Sequence, residues 1–198
     1  MAWAPDYVST AELKAYVRIS DAVDDATLAL AISAASRAVD RHCNRQFGSV
    51  AGPELRRYTA EWDRRLSRWR VQFDDLMSVS AFSAEADAGI IDVYDLKPVN
   101  AAVKSRPWTE MVVDPDSTYR PIGTQDEVAV TAVWGWTSVP DTIKQAVLLQ
   151  SSRLFSRRTS PFGVAGSPDL GSELRLLAKL DPDVAVTLGP YIRWWGAS

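Results

Sequence analysis

With 198 residues, 46% of them hydrophobic and 24% charged, the chain can bury one core or two small ones and is too apolar to be disordered. That size excludes a large multidomain enzyme. Twenty-two basic residues against 25 acidic ones give a net charge of −3, so the chain as a whole lacks the positive field of a nucleic-acid or anionic-membrane binder.

The charge is unevenly spread. Residues 41–70 carry 8 basic and 3 acidic side chains, whereas residues 71–140 carry 4 and 11, a division suited to self-association through complementary faces. The single cysteine, Cys43, permits no internal disulfide and fits a reducing compartment. The opening Met-Ala-Trp-Ala-Pro-Asp lacks the basic and apolar regions of a signal peptide, and no apolar run is long enough to span a bilayer. The expectation is a chain made in the cytoplasm, away from membranes.

In chain order, Ser9 reads as the N-cap of a first helix running to about Arg18, with Glu12 completing a capping box and Val8 and Leu13 forming a hydrophobic staple. Asp24 or Asp25 opens a longer helix to about Cys43, in which Leu28, Ile32, Ala35, Val39 and Cys43 form one apolar stripe. Ala29, Ala31, Ala34 and Ala38 keep much of its remaining surface small, so another helix can approach closely. From Gly52 the period falls to that of a strand. Trp69, Val71 and Phe73 alternate with Arg68, Arg70 and Gln72, and Val128, Val130, Ala132, Trp134 and Trp136 alternate with smaller or polar neighbours. Residues 77–82, 90–96 and 110–113 are weaker strand candidates, separated by turns such as Asp114-Pro115-Asp116-Ser117. The middle of the chain therefore predicts a β module of roughly four to six strands.

Helical signals return at Pro140 and Asp141, predicting a helix over residues 140–157 that buries Ile143, Val147 and Leu154 and places Arg153, Arg157 and Arg158 at its negative end. A Gly/Pro-rich stretch follows, containing Phe162, Gly163, Gly166 and Gly171, and reads as a flexible loop. A last helix is expected from about Ser172 to Leu180, then a short turn after Asp181-Pro182 and an aromatic tail. The predicted class is α+β: a bundle of about four helices with a small antiparallel β module inserted between the early and late ones. The corresponding regions are 1–50, 51–137 and 138–188, with residues 189–198 as a tail.

No residue set supports catalysis. His42 is the only histidine and Cys43 lies about 100° away from it around a helix, so the two cannot chelate one metal ion. No Gly-x-Ser-x-Gly elbow or phosphate-cradling glycine motif is present. Asp114, Asp116 and Thr118 mimic the start of a calcium loop, but Tyr119 and Gln125 stand where glycine and glutamate are needed. Neither a cofactor nor a metal is expected.

Two segments invite a binding role instead. Arg56, Arg57, Arg64, Arg65, Arg68 and Arg70, interleaved with Trp62 and Trp69, offer guanidinium groups and indoles suited to nucleic acid, while Glu54, Glu61 and Asp63 among them suit subunit contacts. Both readings stand, and a nucleic-acid-binding regulator is the alternative function they leave open. The tail residues Tyr191, Ile192, Arg193, Trp194 and Trp195 lie beyond Pro190, which should break the preceding helix and leave them as an exposed aromatic anchor for a partner.

The order of motifs carries a resemblance. Val8-Ser9-Thr10-Ala11-Glu12-Leu13-Lys14, then Asp24-Asp25 with an alanine-rich helix ending Cys43-Asn44-Arg45-Gln46-Phe47-Gly48, resembles the head-tail connector (adaptor) proteins of tailed bacteriophages. Val133-Trp134-Gly135-Trp136, Val139-Pro140-Asp141-Thr142-Ile143-Lys144-Gln145-Ala146 and Arg157-Arg158-Thr159-Ser160-Pro161-Phe162-Gly163 resemble the longer members, in which strands separate early and late helices. The resemblance implies a non-enzymatic virion protein forming a homo-oligomeric ring of about twelve copies beneath the portal protein. Such a ring extends the channel for genomic DNA without reading its sequence and docks the next neck or tail-completion protein. In such a ring, residues 191–195 are expected to dock on the portal, and the six arginines to make subunit or channel contacts.

Overall fold

The computed structural model describes residues 3–157, 164–165, 174–175 and 180–194. It divides the chain into two compact units. One comprises residues 1–3 and 48–138, and the other residues 4–47 and 139–198. The chain thus leaves the helical unit at Phe47 and returns to it at Val139.

The helical unit contains α1 (Thr10–Val17), α2 (Asp25–Cys43), α3 (Asp141–Arg157) and α4 (Pro182–Leu188). α1 starts as its sequence dictates: the Ser9 hydroxyl accepts the Glu12 N–H and the Glu12 carboxylate accepts the Ser9 N–H at 2.6 Å. It stops at Arg18, whose left-handed φ of 59° turns the chain away. α2 buries Leu28, Ala31, Ile32, Ala35, Val39 and Cys43, and it packs on α1, α3 and α4. α3 buries Ile143, Ala146 and Val147, whereas Leu154 is only half-buried.

A polar knot fastens the N-terminal segment to α2. The Tyr7 hydroxyl donates to Asp40 and accepts the Phe47 N–H at 2.9 Å, while Arg37 lies 3.1 Å from the same carboxylate. Burial pushes the Asp40 carboxyl up to about 6, outweighing the Tyr7 hydrogen bond and the Arg37 charge.

The late part of the chain departs from expectation. Leu174–Arg175 (β10) pairs antiparallel with Val164–Ala165 (β9), so these two positions of the helix expected over residues 172–180 are strand, and residues 172–173 and 176–179 lie outside the described residues. At Leu174 and Arg175, both good helix formers, strand pairing overrides local propensity. The helix comes later, as α4, with Asp181 as its N-cap accepting the Asp183 N–H at 2.8 Å. Pro190 does not break the chain away either, because it sits in a 3-10 turn, Gly189–Tyr191, that continues directly from α4. The strand β9 also interrupts the expected loop, and the loop positions Phe162, Gly163, Gly166 and Gly171 lie outside the described residues.

The other unit holds eight strands in two antiparallel four-stranded sheets, more than the sequence predicts. One sheet has the order β1 (Glu54–Tyr58), β8 (Val128–Ala132), β4 (Ser83–Ala86), β5 (Gly89–Ile90). The other has the order β2 (Ala60–Asp63), β3 (Arg68–Leu76), β7 (Trp108–Val113), β6 (Tyr94–Lys97). β1 and β2 escape the sequence pattern because they are short and charged, and residues 77–82 connect strands rather than forming one. Together the sheets make an α+β chain with Phe73 and Trp134 central to the β core, their rings 5.8 Å apart. Regular pairing of β8 ends at Ala132, and Gly135 then adopts a φ of 105°, where a Cβ would lie 2.0 Å from the Gly48 carbonyl oxygen. Only glycine fits that approach.

Candidate functional site: a pre-organised aromatic and basic surface

The β2–β3 hairpin places Trp62 opposite Trp69, with ring centroids 5.2 Å apart in an edge-to-face arrangement. Its turn, residues 64–67, is fixed by the Asp63 carboxylate, which accepts the N–H groups of Arg65 at 2.8 Å and Leu66 at 3.0 Å. Those hydrogen bonds, that of Leu66 first, hold the Asp63 carboxyl below the usual carboxylate range. Arg64, Arg65 and Leu66 are thereby presented to solvent on an ordered turn.

The connection from β7 to β8, residues 114–127, has no helix or strand, and two carboxylates are prominent among the groups that hold it. Asp92 accepts the Thr118 hydroxyl at 2.7 Å, the Thr118 N–H at 2.8 Å and the Ser117 hydroxyl at 2.9 Å, which pull its pKa down to about 2. Buried Glu127 accepts the N–H groups of Ile122 at 3.0 Å and Gly123 at 2.8 Å. Between these anchors Tyr119, Arg120 and Ile122 are exposed, Ile122 by 76%. The Tyr119 ring covers Gly89, where a Cβ would meet it at 2.6 Å.

An open depression of about 480 Å³ lies between hairpin and connection, lined by Trp69, Ala88, Tyr119, Arg120, Pro121 and Ile122. Its aromatic, arginine and aliphatic lining has the composition that protein-binding hot spots favour, and the backbone that carries it is already hydrogen-bonded in place. Sequence reasoning missed Leu66, Tyr119, Arg120 and Ile122. The available signal was a long connection without regular structure.

The six arginines separate into two groups. Arg56 pairs with Asp74 at 2.6 Å and Glu54 at 3.3 Å and lies over the Trp3 ring at 4.3 Å. Arg68 reaches Asp114 at 2.8 Å, and Arg70 reaches Glu110 at 2.8 Å and Asp63 at 3.1 Å. Their acidic partners in the 74–127 region thus belong to the same chain. Arg57 donates to the Asp126 carbonyl at 3.3 Å, while Arg64 and Arg65 have no carboxylate within ion-pair distance among the described residues. The Asp114 and Thr118 side chains of the calcium-like run are engaged with Arg68 and Asp92. No cluster of three or more potential metal ligands occurs among the described residues.

The tail is only partly exposed. Tyr191 packs edge-on against Phe47 with centroids 5.8 Å apart, Ile192 is half-buried, and Arg193 is buried. The Arg193 N–H donates to the Cys43 carbonyl at 2.8 Å and its carbonyl accepts from Asn44 at 3.4 Å. Residues 191–193 therefore fold back onto their own unit, contrary to the expected exposed segment: the 3-10 turn keeps them close to the left-handed end of α2 at Asn44. Trp194 is 85% exposed, and Trp195 lies outside the described residues. The thiol of buried Cys43 is pushed up to about 12 by desolvation, and His42 is half-buried beside it.

No protein-family model and no curated protein matches the chain. Among solved structures it is similar, at 17% identity and a TM-score of 0.58, to a chain from the "Neck of empty GTA particle computed with C6 symmetry". The likeness covers 100% of this chain and 96% of that one, and it shows that the two share a fold from end to end.

Proposed function

We propose that this protein is a structural neck component of a tailed-phage-like particle, a head-to-tail connector that forms a ring beneath the portal. The observation that carries the reading is the end-to-end likeness to a neck chain, since both units are matched together rather than one common module alone. The resemblance of residues 8–48 and 128–191 to connector proteins points the same way. The ring, of about twelve copies, extends the DNA channel and presents a surface to the next neck or tail-completion protein, with no sequence recognition and no catalysis. Trp194, held out beside the buried Arg193, is the described tail residue best placed to dock on the portal.

The nucleic-acid reading loses support because Arg56, Arg68 and Arg70 already pair with carboxylates of their own chain. Imaging and native mass measurement of the protein mixed with portal-bearing heads test the proposal. Rings are expected on the portal, and particles made without the chain should retain heads but lack attached tails. Normal necks in its absence, or sequence-dependent DNA binding with a steep salt slope, would overturn it.

A further inference from the structure

Resting on the ring reading, we infer that the aromatic and basic surface of the β unit is one half of the subunit contact. The other half is the acidic, apolar start of α2 in the next copy. A closed ring of identical chains needs two different faces that complement each other, since one self-complementary face yields only a dimer.

The first face is formed by the β2–β3 hairpin and the connection from β7 to β8. Trp62, Leu66, Tyr119 and Ile122 are exposed by 49%, 52%, 42% and 76%. Arg64, Arg65 and Arg120 border them, with no carboxylate in ion-pair reach among the described residues. Carboxylates fix both segments that carry these side chains, so the face exists before a partner arrives.

The second face lies in the helical unit. Residues 26–36 of α2 contain no charged side chain, and Ala26, Ala29, Leu30, Ser33 and Ala34 among them are exposed, Leu30 by 72%. A helix face that meets only water ordinarily carries charge. Just before it, Val23 is 88% exposed on a turn that the Asp21 carboxylate fixes by accepting the Val23 N–H at 3.0 Å. Exposed Asp21, two residues before Val23, supplies negative charge beside this aliphatic surface. The two faces match in both respects: arginines beside aromatic and aliphatic side chains on one, the Asp21 carboxylate beside Val23 at the start of an uncharged helix face on the other.

The test uses particles assembled with the full chain carrying Val23→Cys and Ile122→Cys. Native Cys43 is buried and contributes no background. Mild oxidation should give a ladder of crosslinked species beyond the dimer, and neither single variant should give one. A dimer from Ile122→Cys alone, or no ladder from rings of normal abundance, overturns the inference. A charge exchange keeps the test decisive if the cysteine chain fails to fold. Arg64→Glu with Arg65→Glu should lower incorporation by about tenfold or more, and adding Asp21→Lys should restore it. No recovery in the combined variant also overturns the contact. Absence of the wild-type chain from necks would instead sink the ring reading itself.

Discussion

Asp40 is the residue at which burial has the clearest chemical consequence. Its pKa rises from 3.8 to about 6 on folding, so between those values the native state binds more protons than the unfolded state. Stability contributed by this group is therefore full below about pH 4 and falls as pH rises through 6, by roughly 3 kcal/mol for a shift of this size. Denaturant unfolding of wild type and Asp40→Asn from pH 4 to 7 should show their difference changing by that order, with the wild type losing relative to the variant as pH rises. A difference independent of pH would mean that Asp40 ionises normally. At Gly135 the constraint is steric, and Gly135→Ala should cost roughly 3 kcal/mol or prevent folding, because φ of 105° and the Gly48 carbonyl both exclude a Cβ. Thermal unfolding measures that loss directly.

At the level of elements, the connection between β7 and β8 is ordered by side-chain hydrogen bonds, those of Asp92 and Glu127 among them, rather than by regular structure. Glu127→Ala leaves the Ile122 and Gly123 N–H groups without their acceptor, at a cost of roughly 1–3 kcal/mol. Hydrogen exchange at those two amides should quicken while exchange in β3 and β7 stays slow. Uniformly faster exchange would show that Glu127 holds the whole unit together. α1 is an opposite case, a helix specified almost locally. Ser9→Ala removes the acceptor for the Glu12 N–H and should cost about 1 kcal/mol, seen as a lowered melting temperature without loss of fold.

For the whole molecule, the tail divides between residues 191–193, folded onto their own unit, and Trp194, left exposed. Truncation after residue 189 would remove Tyr191 from Phe47 and Arg193 from Cys43, and should destabilise the helical unit by about 2 kcal/mol or more. Trp194→Ala removes a side chain that is 85% exposed and should leave the melting temperature unchanged while weakening attachment to portal-bearing heads, as read by co-sedimentation. Unchanged attachment would remove Trp194 from the docking surface.

The sequence by itself determined the features that depend on neighbours along the chain. The capping box at Ser9 and Glu12, the α2 stripe from Leu28 to Cys43, the buried Ile143 and Val147 of α3, and the alternation of Trp69, Val71 and Phe73 all follow from periods of 3.6 or 2. What depends on distant partners was decided only by the tertiary structure. β1 and β2 are strands because Arg56, Arg57 and Glu61 meet partners on β8 and β3, not because their own pattern is apolar. Leu174–Arg175 became a strand rather than helix once Val164–Ala165 supplied a ladder. The arginines at 56, 68 and 70 sit beside Asp74, Asp114 and Glu110, a pairing across sheet registers that charge counting along the chain cannot assign to the same copy. The exposed aromatic surface is decided in the same way. Trp69, Tyr119 and Ile122 are far apart in sequence, and only the fixing of two turns by Asp63, Asp92 and Glu127 brings them to one depression.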